Sequence, residues 1–424
     1  MFVDFIRNAI EGIIVGIIFL PIVVIIHQLG HLLFGKLSGY QFVSLKLFLF
    51  QWARNQEGKI KFTKTNLHFG ISAQCLMSPT KEEKDFRFIL YNLGGSLANI
   101  ITGIIFILPL FFIGQTFARW LFIGGAVSIF MALANLIPMA SGGFPNNGRN
   151  VKEAKKSEDA KNGLYRTLKA NGEMALGKPL SDYDEDFFKF NDDVDVNNFL
   201  VAQTILLHAA YLEEKEDYTG SYEKLLLIED AKVPSFYKSQ ILLALLFNEL
   251  VYQSNDEVLE RAKERWEQVK DDKEISSIVL EKHPGFMIPY AAKVAFIDLD
   301  PRAARKLIAG AEKLLPSLQN PGTEHLAKLM IEKLNERLPV DERRKASQVE
   351  EPIEEALVEN LQETTTDTPV ENLQEATTES PAEILQETIE ETSVEDVLET
   401  PSNDESESID NSLDLLMEQL RKRR

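Results

Sequence analysis

The stretch from residue 10 to residue 34, IEGIIVGIIFLPIVVIIHQLGHLLF, decides the fold. As a helix it would extend about 37 Å, which exceeds the roughly 30 Å of bilayer hydrocarbon. His27 and His31 lie deep in this run, and ionisable groups inside a membrane helix usually serve a function. The run is too long for the apolar part of a signal peptide and lacks a small-residue cleavage site. A transmembrane helix is therefore favoured over a cleaved signal.

Two further apolar runs, at about 88–114 and 120–139, predict a transmembrane hairpin, with Gln115 and Arg119 in its short connection. Lys and Arg accumulate on the cytoplasmic side of membrane proteins. Residues 36–87 contain nine of them and residues 149–156 contain four. The sequence thus predicts a multi-pass protein of the cell membrane, with the N-terminus outside and the C-terminal domain cytoplasmic.

Between the first two runs the sequence is rich in β-forming residues. Strands are predicted at 42–52, 59–66 and 68–77, with an interruption at 55–58. This pattern indicates a small sheet at the membrane surface.

The chain becomes charged and helical after residue 150, with a linker at 151–196 and an all-α cytoplasmic domain at 197–345. Apolar residues in that domain recur at helical spacing. It is either a solenoid resembling tetratricopeptide repeats or an irregular bundle, and either form could bind a protein partner. Helices are predicted at about 197–213, 218–229, 235–253, 256–270, 286–297, 301–314 and 322–337.

The net charge of −20 belongs to one segment, because residues 346–420 hold 23 Asp and Glu and no Lys or Arg. The rest of the chain contains 42 acidic and 45 basic residues and is therefore close to neutral. The composition thus gives no support for nucleic-acid binding. The acidic segment repeats every twelve residues and carries little apolar surface, which predicts disorder across 346–424. Its basic end, 421–424, would either touch an anionic membrane surface or remain solvated.

The motif His27-Gln28-Leu29-Gly30-His31 carries the strongest chemical signal. Histidines four residues apart lie on one helix face, at the spacing with which two imidazoles bind one zinc ion. The alternative is a neutral histidine pair hydrogen-bonded within the bundle. The only cysteine, Cys75, excludes a zinc site made of several thiolates.

A second motif ends the third apolar run, where Asn135-Leu-Ile-Pro138 precedes Gly-Gly-Phe-Pro-Asn-Asn-Gly at 142–148. Proline and glycine predict that the helix stops and the chain turns tightly, presenting short polar side chains at membrane depth. Irregular backbone is tolerated there only when protein or water surrounds it.

With these motifs, residues 10–150 resemble the site-2 protease family of intramembrane zinc metalloproteases, in particular its three-span bacterial members. That family carries H-E-x-x-H in the first core span, a G-x-x-x-N-like motif in the second, and Asn-x-x-Pro followed by Asp-Gly in the third. The counterparts here are the histidine motif, the Gly-Gly-Ser-Leu-Ala-Asn stretch at 94–99, and Asn135 with Pro138 and Gly148.

The resemblance implies that His27, His31 and Asn147 are ligands of Zn²⁺, that Gln28 occupies the general-base position, and that Asn135 helps to polarise the scissile carbonyl. Asn146 is a second candidate for the third ligand, because the turn is longer than the family pattern.

For the second span, core packing is the preferred interpretation of Gly94, Gly95 and Asn99. The sheet around residues 62–73 is implied to pair with an extended substrate strand.

Two positions depart from the family, because Gln28 replaces the glutamate and Asn147 the aspartate. A glutamine cannot accept a proton from the attacking water, and a neutral amide binds Zn²⁺ less well than a carboxylate. The resulting hypothesis is an intramembrane zinc metalloendopeptidase that cleaves transmembrane proteins near the cytoplasmic face, slow or inactive as written. The alternatives are a non-catalytic pseudoprotease that holds single-span clients and a membrane-tethered helical scaffold.

Overall fold

Most of the chain before residue 340 is described by a computed structural model. It describes residues 2–64, 73–108, 115–141, 143–253, 255–270, 283–318 and 320–339. The acidic repeats and the basic C-terminus predicted from the sequence lie outside the described residues.

Three long apolar helices pack against one another: α1 (Phe2–Ser38), α2 (Ile89–Ile107) and α3 (Gln115–Leu136). Each is long and apolar enough to cross a membrane, as the three apolar runs predict. Helix α3 also takes in Gln115 and Arg119, which the sequence assigns to a connection. Arg119 pairs with Glu11 on α1, whose carboxylate also accepts a hydrogen bond of 2.6 Å from Trp120 Nε1.

The three helices carry apolar side chains outward and polar side chains inward. Ile13, Ile17 and Phe130 are 63%, 65% and 74% exposed. Both histidines of the motif, by contrast, are buried between the helices. Lipid favours this inverted pattern, and water does not. Other buried polar residues of the described parts of these helices are Ser38, Asn92, Ser96, Asn99 and Ser128.

Helices α1 and α2 approach closely where glycines face each other. A Cβ atom on Gly30 would lie 2.6 Å from Ala98 Cβ, and one on Gly94 would lie 2.7 Å from Phe34 Cβ. The backbones can come this close only because neither position has a side chain. This crossing fixes the histidine-bearing turn of α1 against α2.

A four-stranded antiparallel sheet follows α1, as predicted, with strand order β3-β2-β1-β4. The predicted strand at 42–52 is in fact two strands, because the chain reverses at Phe48, which has a φ of 56°. Residues 65–72, which include parts of two predicted strands, lie outside the described residues. The strands are β1 (Tyr40–Leu47), β2 (Phe50–Arg54), β3 (Ile60–Lys64) and β4 (Ala73–Pro79).

The bend after α3 is a small hairpin of β5 (Ala140–Ser141) and β6 (Phe144–Pro145), which leads into helix α4 (Asn147–Ala154). Helix α5 (Glu158–Ala175) then packs on strand β4, where Gly172 lies against Ser78. The hairpin accommodates the extra residues between Asn135 and Asn147, so a long turn still returns the chain to the end of α3.

The helices predicted after residue 197 are present, and their core includes Leu246, Phe247, Ile288 and Leu334. The predicted helix at 235–253 changes to a π-helical turn at its end. The elements are α6 (Phe199–Glu214), α7 (Tyr218–Leu227), α8 (Ser235–Phe247), the π-helical segment Asn248–Gln253, α9 (Asp256–Lys270), α10 (Pro284–Phe296), α11 (Pro301–Leu314) and α12 (Pro321–Arg337).

Candidate metal site

His27 and His31 lie one turn apart on α1 and direct their imidazoles towards each other. Their Nε2 atoms are 3.2 Å apart, and the side chains are 3% and 8% exposed. The rings meet edge to face, with centroids 4.8 Å apart. Helical spacing alone accounts for this convergence, because residues i and i+4 share a face.

The third sequence-predicted ligand comes from the opposite end of the membrane region of the chain. Asn147 is the first residue of α4, and its Nδ2 atom lies 3.1 Å from His31 Nε2. The structure thus brings together His27, His31 and Asn147, although 116 positions separate the last two.

Asn146, the other candidate for the third ligand, has a different role. Its Oδ1 accepts hydrogen bonds from the backbone N–H groups of Met139 and Arg149, at 3.1 and 3.0 Å. Its Nδ2 donates to the carbonyls of Ala134 and Ile137, at 2.8 and 2.6 Å. Asn146 therefore caps α4 and ties it to the end of α3, which leaves Asn147 to face the histidines.

Gln28 and Asn135 are not brought into hydrogen-bond contact with the histidines. Gln28 follows His27 on α1 and is half-buried, and its amide makes no hydrogen bond among the described residues. Asn135 donates from Nδ2 to the carbonyl of Met131 on its own helix, at 3.0 Å.

Helix α2 supplies contacts that the sequence analysis attributes to core packing. Asn99 Nδ2 lies 3.2 Å from His27 Nδ1, and the carbonyl of Tyr91 lies 2.9 Å from His31 Nδ1. A Cβ atom on Gly95 would lie 2.6 Å from the Nε2 atoms of both histidines. Packing remains the explanation for Gly94, whereas Gly95 and Asn99 contact the imidazoles. The seven-residue separation of Asn92 and Asn99 on α2 was the available signal, because it places two amides on one apolar helix face.

The arrangement fits a zinc ion in its donor geometry. Two nitrogen ligands about 2.0–2.1 Å from a tetrahedral zinc ion lie about 3.3 Å apart, close to the 3.2 Å between the Nε2 atoms. His31 Nδ1 has an acceptor in the carbonyl of Tyr91, as is usual for metal-binding histidines, whereas Asn99 would accept from His27 Nδ1 only with its amide turned by 180°. Turning the Asn147 amide by 180° would present its oxygen as a third donor.

The donor set is nevertheless neutral. Among the described residues, no group of three or more His, Cys, Asp or Glu side chains is placed to hold a metal ion. The third donor position of the site falls to the amide of Asn147. Such a set binds Zn²⁺ less strongly than one that includes a carboxylate.

The end of α1 and the sheet line an open groove. Its volume is about 610 Å³, and its lining includes Leu29 and Lys36 of α1 and Ile60 of β3. Strand β3 pairs with β2 on one side, and its Phe62 side chain is 57% exposed. Part of the sequence-predicted substrate-pairing element, residues 65–72, lies outside the described residues.

Comparisons of the chain with protein-family models, with curated proteins and with solved structures give no match. A functional assignment therefore depends on the residues and geometry described above.

Proposed function

We propose that this chain is an intramembrane zinc metalloendopeptidase of site-2 type whose activity is reduced or abolished by Gln28 and Asn147. One observation carries the proposal. His31 Nε2 lies 3.2 Å from His27 Nε2 and 3.1 Å from the amide nitrogen of Asn147, and the histidines are on a helix of membrane-spanning length. The Tyr91 carbonyl beside His31 Nδ1 adds support, because metal-binding histidines commonly have such an acceptor.

The depth of the site supports cleavage near one membrane face. Glu11 and Arg119 form an ion pair near one end of α1 and α3, and His27 is 16 residues from Glu11, about 24 Å along the helix. In a hydrocarbon layer of about 30 Å, the histidines would then lie near the opposite face. The sheet follows α1 on that side, and the distribution of Lys and Arg favours its being cytoplasmic.

In this proposal His27, His31 and Asn147 hold the metal. The chemistry that a bound zinc ion supplies at such a site is polarisation of a peptide carbonyl and activation of a water molecule. Gln28 occupies the position of the general base and can only hydrogen-bond that water. Because general-base catalysis typically contributes about 10²- to 10⁴-fold, its loss predicts slow hydrolysis or none.

The substrate in this proposal is a transmembrane protein. A transmembrane helix satisfies its own backbone hydrogen bonds, so a segment must unwind before one of its peptide bonds can reach the site. The groove between α1 and the sheet could receive such an extended segment, and so could the edge of β3 that pairs with no other strand among the described residues.

A pseudoprotease is the second candidate, and the two amides favour it. Gln28 and Asn147 preserve the shapes of a glutamate and an aspartate while removing both negative charges. A chain of this kind would keep the groove for single-span clients and lose hydrolysis.

Metal analysis combined with a cleavage assay tests these proposals. The full chain and its Gln28→Glu/Asn147→Asp variant are purified in detergent, and their binding of Zn²⁺ is measured. In a parallel experiment each is co-expressed with a tagged single-span protein, and cleavage of that protein is followed. The enzyme proposal expects weak zinc binding by the unchanged chain, and tighter binding with cleavage by the double variant. Client capture without cleavage in both forms would favour the pseudoprotease.

A matched control is the double variant with His31→Asn added, which should lose both zinc and cleavage. If neither the unchanged chain nor the double variant binds zinc, the metalloprotease assignment is wrong.

A further inference from the structure

The exposed apolar side of α1 leads into the groove between that helix and the sheet. Leu29, Leu33 and Leu37 are exposed and lie four residues apart, so they form one stripe along the helix. Lys36, in the last turn, lies on the same side, seven residues after Leu29. Leu29 and Lys36 both line the groove, whose volume is about 610 Å³. The groove thus continues an apolar helix surface and carries a positive charge where that helix ends.

The sheet supplies the other wall of the groove, and most of its side chains there are apolar. Leu45 and Leu47 are two residues apart on β1 and therefore share one face of the sheet. Trp52 of β2 pairs with Leu45 and lies on the same face. All three residues line the groove together with Ile60 of β3. Such a surface would bind hydrocarbon, and tryptophan is enriched where the hydrocarbon of a bilayer meets the headgroups.

Arg54 brings a second positive charge to the groove, and the backbone holds it in place. Its Nε donates to the carbonyl of Phe42 at 3.1 Å, and its Nη1 donates to the carbonyl of Gly58 at 3.2 Å. A guanidinium has five N–H donors, so others stay available to a ligand. Among the described residues, no carboxylate pairs with Arg54 or Lys36. The two charges are therefore uncompensated, and a phosphate is an anion that both groups commonly bind.

The position of Lys36 along α1 matches the depth of phospholipid phosphates. Lys36 follows Glu11 by 25 residues, which is about 37 Å along the helix. The hydrocarbon layer of a bilayer is about 30 Å thick, and the headgroup regions extend it to about 40–45 Å. With Glu11 at one boundary of the hydrocarbon, Lys36 would lie about 7 Å beyond the other boundary, among the headgroups.

We propose that this groove binds an anionic phospholipid from the leaflet on the same side as the sheet. The phosphate contacts Lys36 and Arg54, and an acyl chain follows Leu29 and the apolar face of the sheet towards the hydrocarbon. Basic sites at a membrane surface select anionic lipids through the same charge pairing. The lipid site does not depend on a bound zinc ion.

The groove suits a phospholipid better than an extended polypeptide. An extended polypeptide must find partners for its backbone N–H and C=O groups. The edge of β3 offers such partners, whereas the lining of the groove is mainly apolar side chains. A phospholipid requires only an anion site at one end and apolar surface along the rest. A lipid in the groove leaves the edge of β3 to the substrate of the proposed function.

Trp52 can report a bound lipid, because bromine on an acyl chain quenches the fluorescence of a tryptophan that it contacts. The chain has three tryptophans, and Trp120→Phe/Trp266→Phe leaves Trp52 alone. This variant of the full chain is placed in nanodiscs of equal parts phosphatidylglycerol and phosphatidylcholine, with bromine on one lipid or on the other. We expect stronger quenching by brominated phosphatidylglycerol. Equal quenching by the two lipids would overturn the proposal and favour a polypeptide as the occupant.

A second measurement covers the case in which the double variant does not fold. The difference in fluorescence between the unchanged chain and Trp52→Phe then isolates the signal of Trp52 in the same nanodiscs. The same preference for the brominated anionic lipid is expected, and its absence would contradict the lipid site.

Lys36→Gln removes one of the two charges and should lower the preference for phosphatidylglycerol about fivefold, the effect of one cation near an anionic surface. The matched control is Lys46→Gln, because Lys46 lies between Leu45 and Leu47 on β1 and points to the opposite face of the sheet. The control should leave the preference unchanged. If both substitutions lower it equally, or neither does, the groove does not recognise the phosphate. Zinc is absent from these assays, so failure of the zinc site would not alter their outcome.

Discussion

Asn146 and Asn147 are adjacent in the chain, but their side chains bind different parts of the molecule. Asn146 holds the backbone of the bend through four hydrogen bonds, and Asn147 lies 3.1 Å from His31 Nε2. Substitution by aspartate should therefore change zinc affinity at Asn147 and the stability of the bend at Asn146.

Asn147→Asp should strengthen zinc binding about tenfold or more, because it adds a negative oxygen ligand. Asn146→Asp should instead destabilise the bend by about 1–3 kcal/mol, since a carboxylate cannot donate to the carbonyls of Ala134 and Ile137. Chelator competition and thermal unfolding distinguish the two effects. Equal changes in zinc affinity for both variants would contradict the assignment of Asn147 as the ligand.

Gly95→Ala should disrupt the histidine pair. The new Cβ atom would lie 2.6 Å from the Nε2 atoms of His27 and His31, so the imidazoles would have to move. We expect at least about a tenfold loss of zinc affinity and about 1–3 kcal/mol of destabilisation. Gly16→Ala is the matched control, because the nearest atom to its Cβ is 3.9 Å away. Unchanged zinc binding in Gly95→Ala would show that the imidazoles do not pack closely against position 95.

Glu249→Gln should destabilise the helical region through a buried ion pair. Glu249 is 1% exposed and receives two hydrogen bonds from Arg265, at 2.8 and 2.7 Å. Arg265 also pairs with Glu229, at 2.6 Å, so the guanidinium keeps one carboxylate and we expect a cost of about 1–3 kcal/mol. Thermal unfolding followed by circular dichroism measures this loss.

An exposed pair provides the comparison for that substitution. Glu260→Gln removes a partner of Lys263 at the surface and should change stability by less than about 1 kcal/mol. Similar losses in both variants would argue against a special role for the Arg265 pair.

The stability of the helical region should fall as the pH rises from about 4.5 to about 7. Burial raises the pKa of Glu213 to about 7, above its ordinary value of 4.5, although a hydrogen bond from Ser221 opposes this. The folded state therefore binds this proton more tightly than the unfolded state, and its stabilising effect, present at low pH, is lost between about pH 4.5 and 7.

Thermal unfolding at pH 5 and pH 8 checks the direction of this effect. Glu213→Gln should reduce the difference between the two melting temperatures. A pH profile that is identical in the variant and the unchanged chain would show that other groups set it.

The long helices could be predicted from the sequence because apolar length and periodicity determine them. The ends of the strands and helices were harder to predict from the sequence. The break at Phe48 lacks a glycine, proline or asparagine to mark it, and the first turn of α3 carries Arg119, whose partner Glu11 is distant in sequence. Local residue patterns carry no information on either contact.

The same limit applies to the candidate site. Histidine spacing on one helix is local, so the convergence of His27 and His31 follows from the sequence alone. The choice between Asn146 and Asn147 depends on how the hairpin returns to α3. The contact of Asn99 with His27 depends on how α1 and α2 cross, and no single sequence motif specifies that crossing.

The ring of Phe144, in the hairpin beside Asn147, lies 3.9 Å from that of Phe236 at the start of α8. The hairpin that precedes Asn147 thus packs against helix α8. Truncation after α4 would keep Asn147 but remove this contact together with any partner-binding surface of the later helices. Loss of activity in the shortened protein would not show whether the Phe144–Phe236 contact or the partner-binding surface is essential. A point substitution at Phe236 removes only the contact and therefore separates the two.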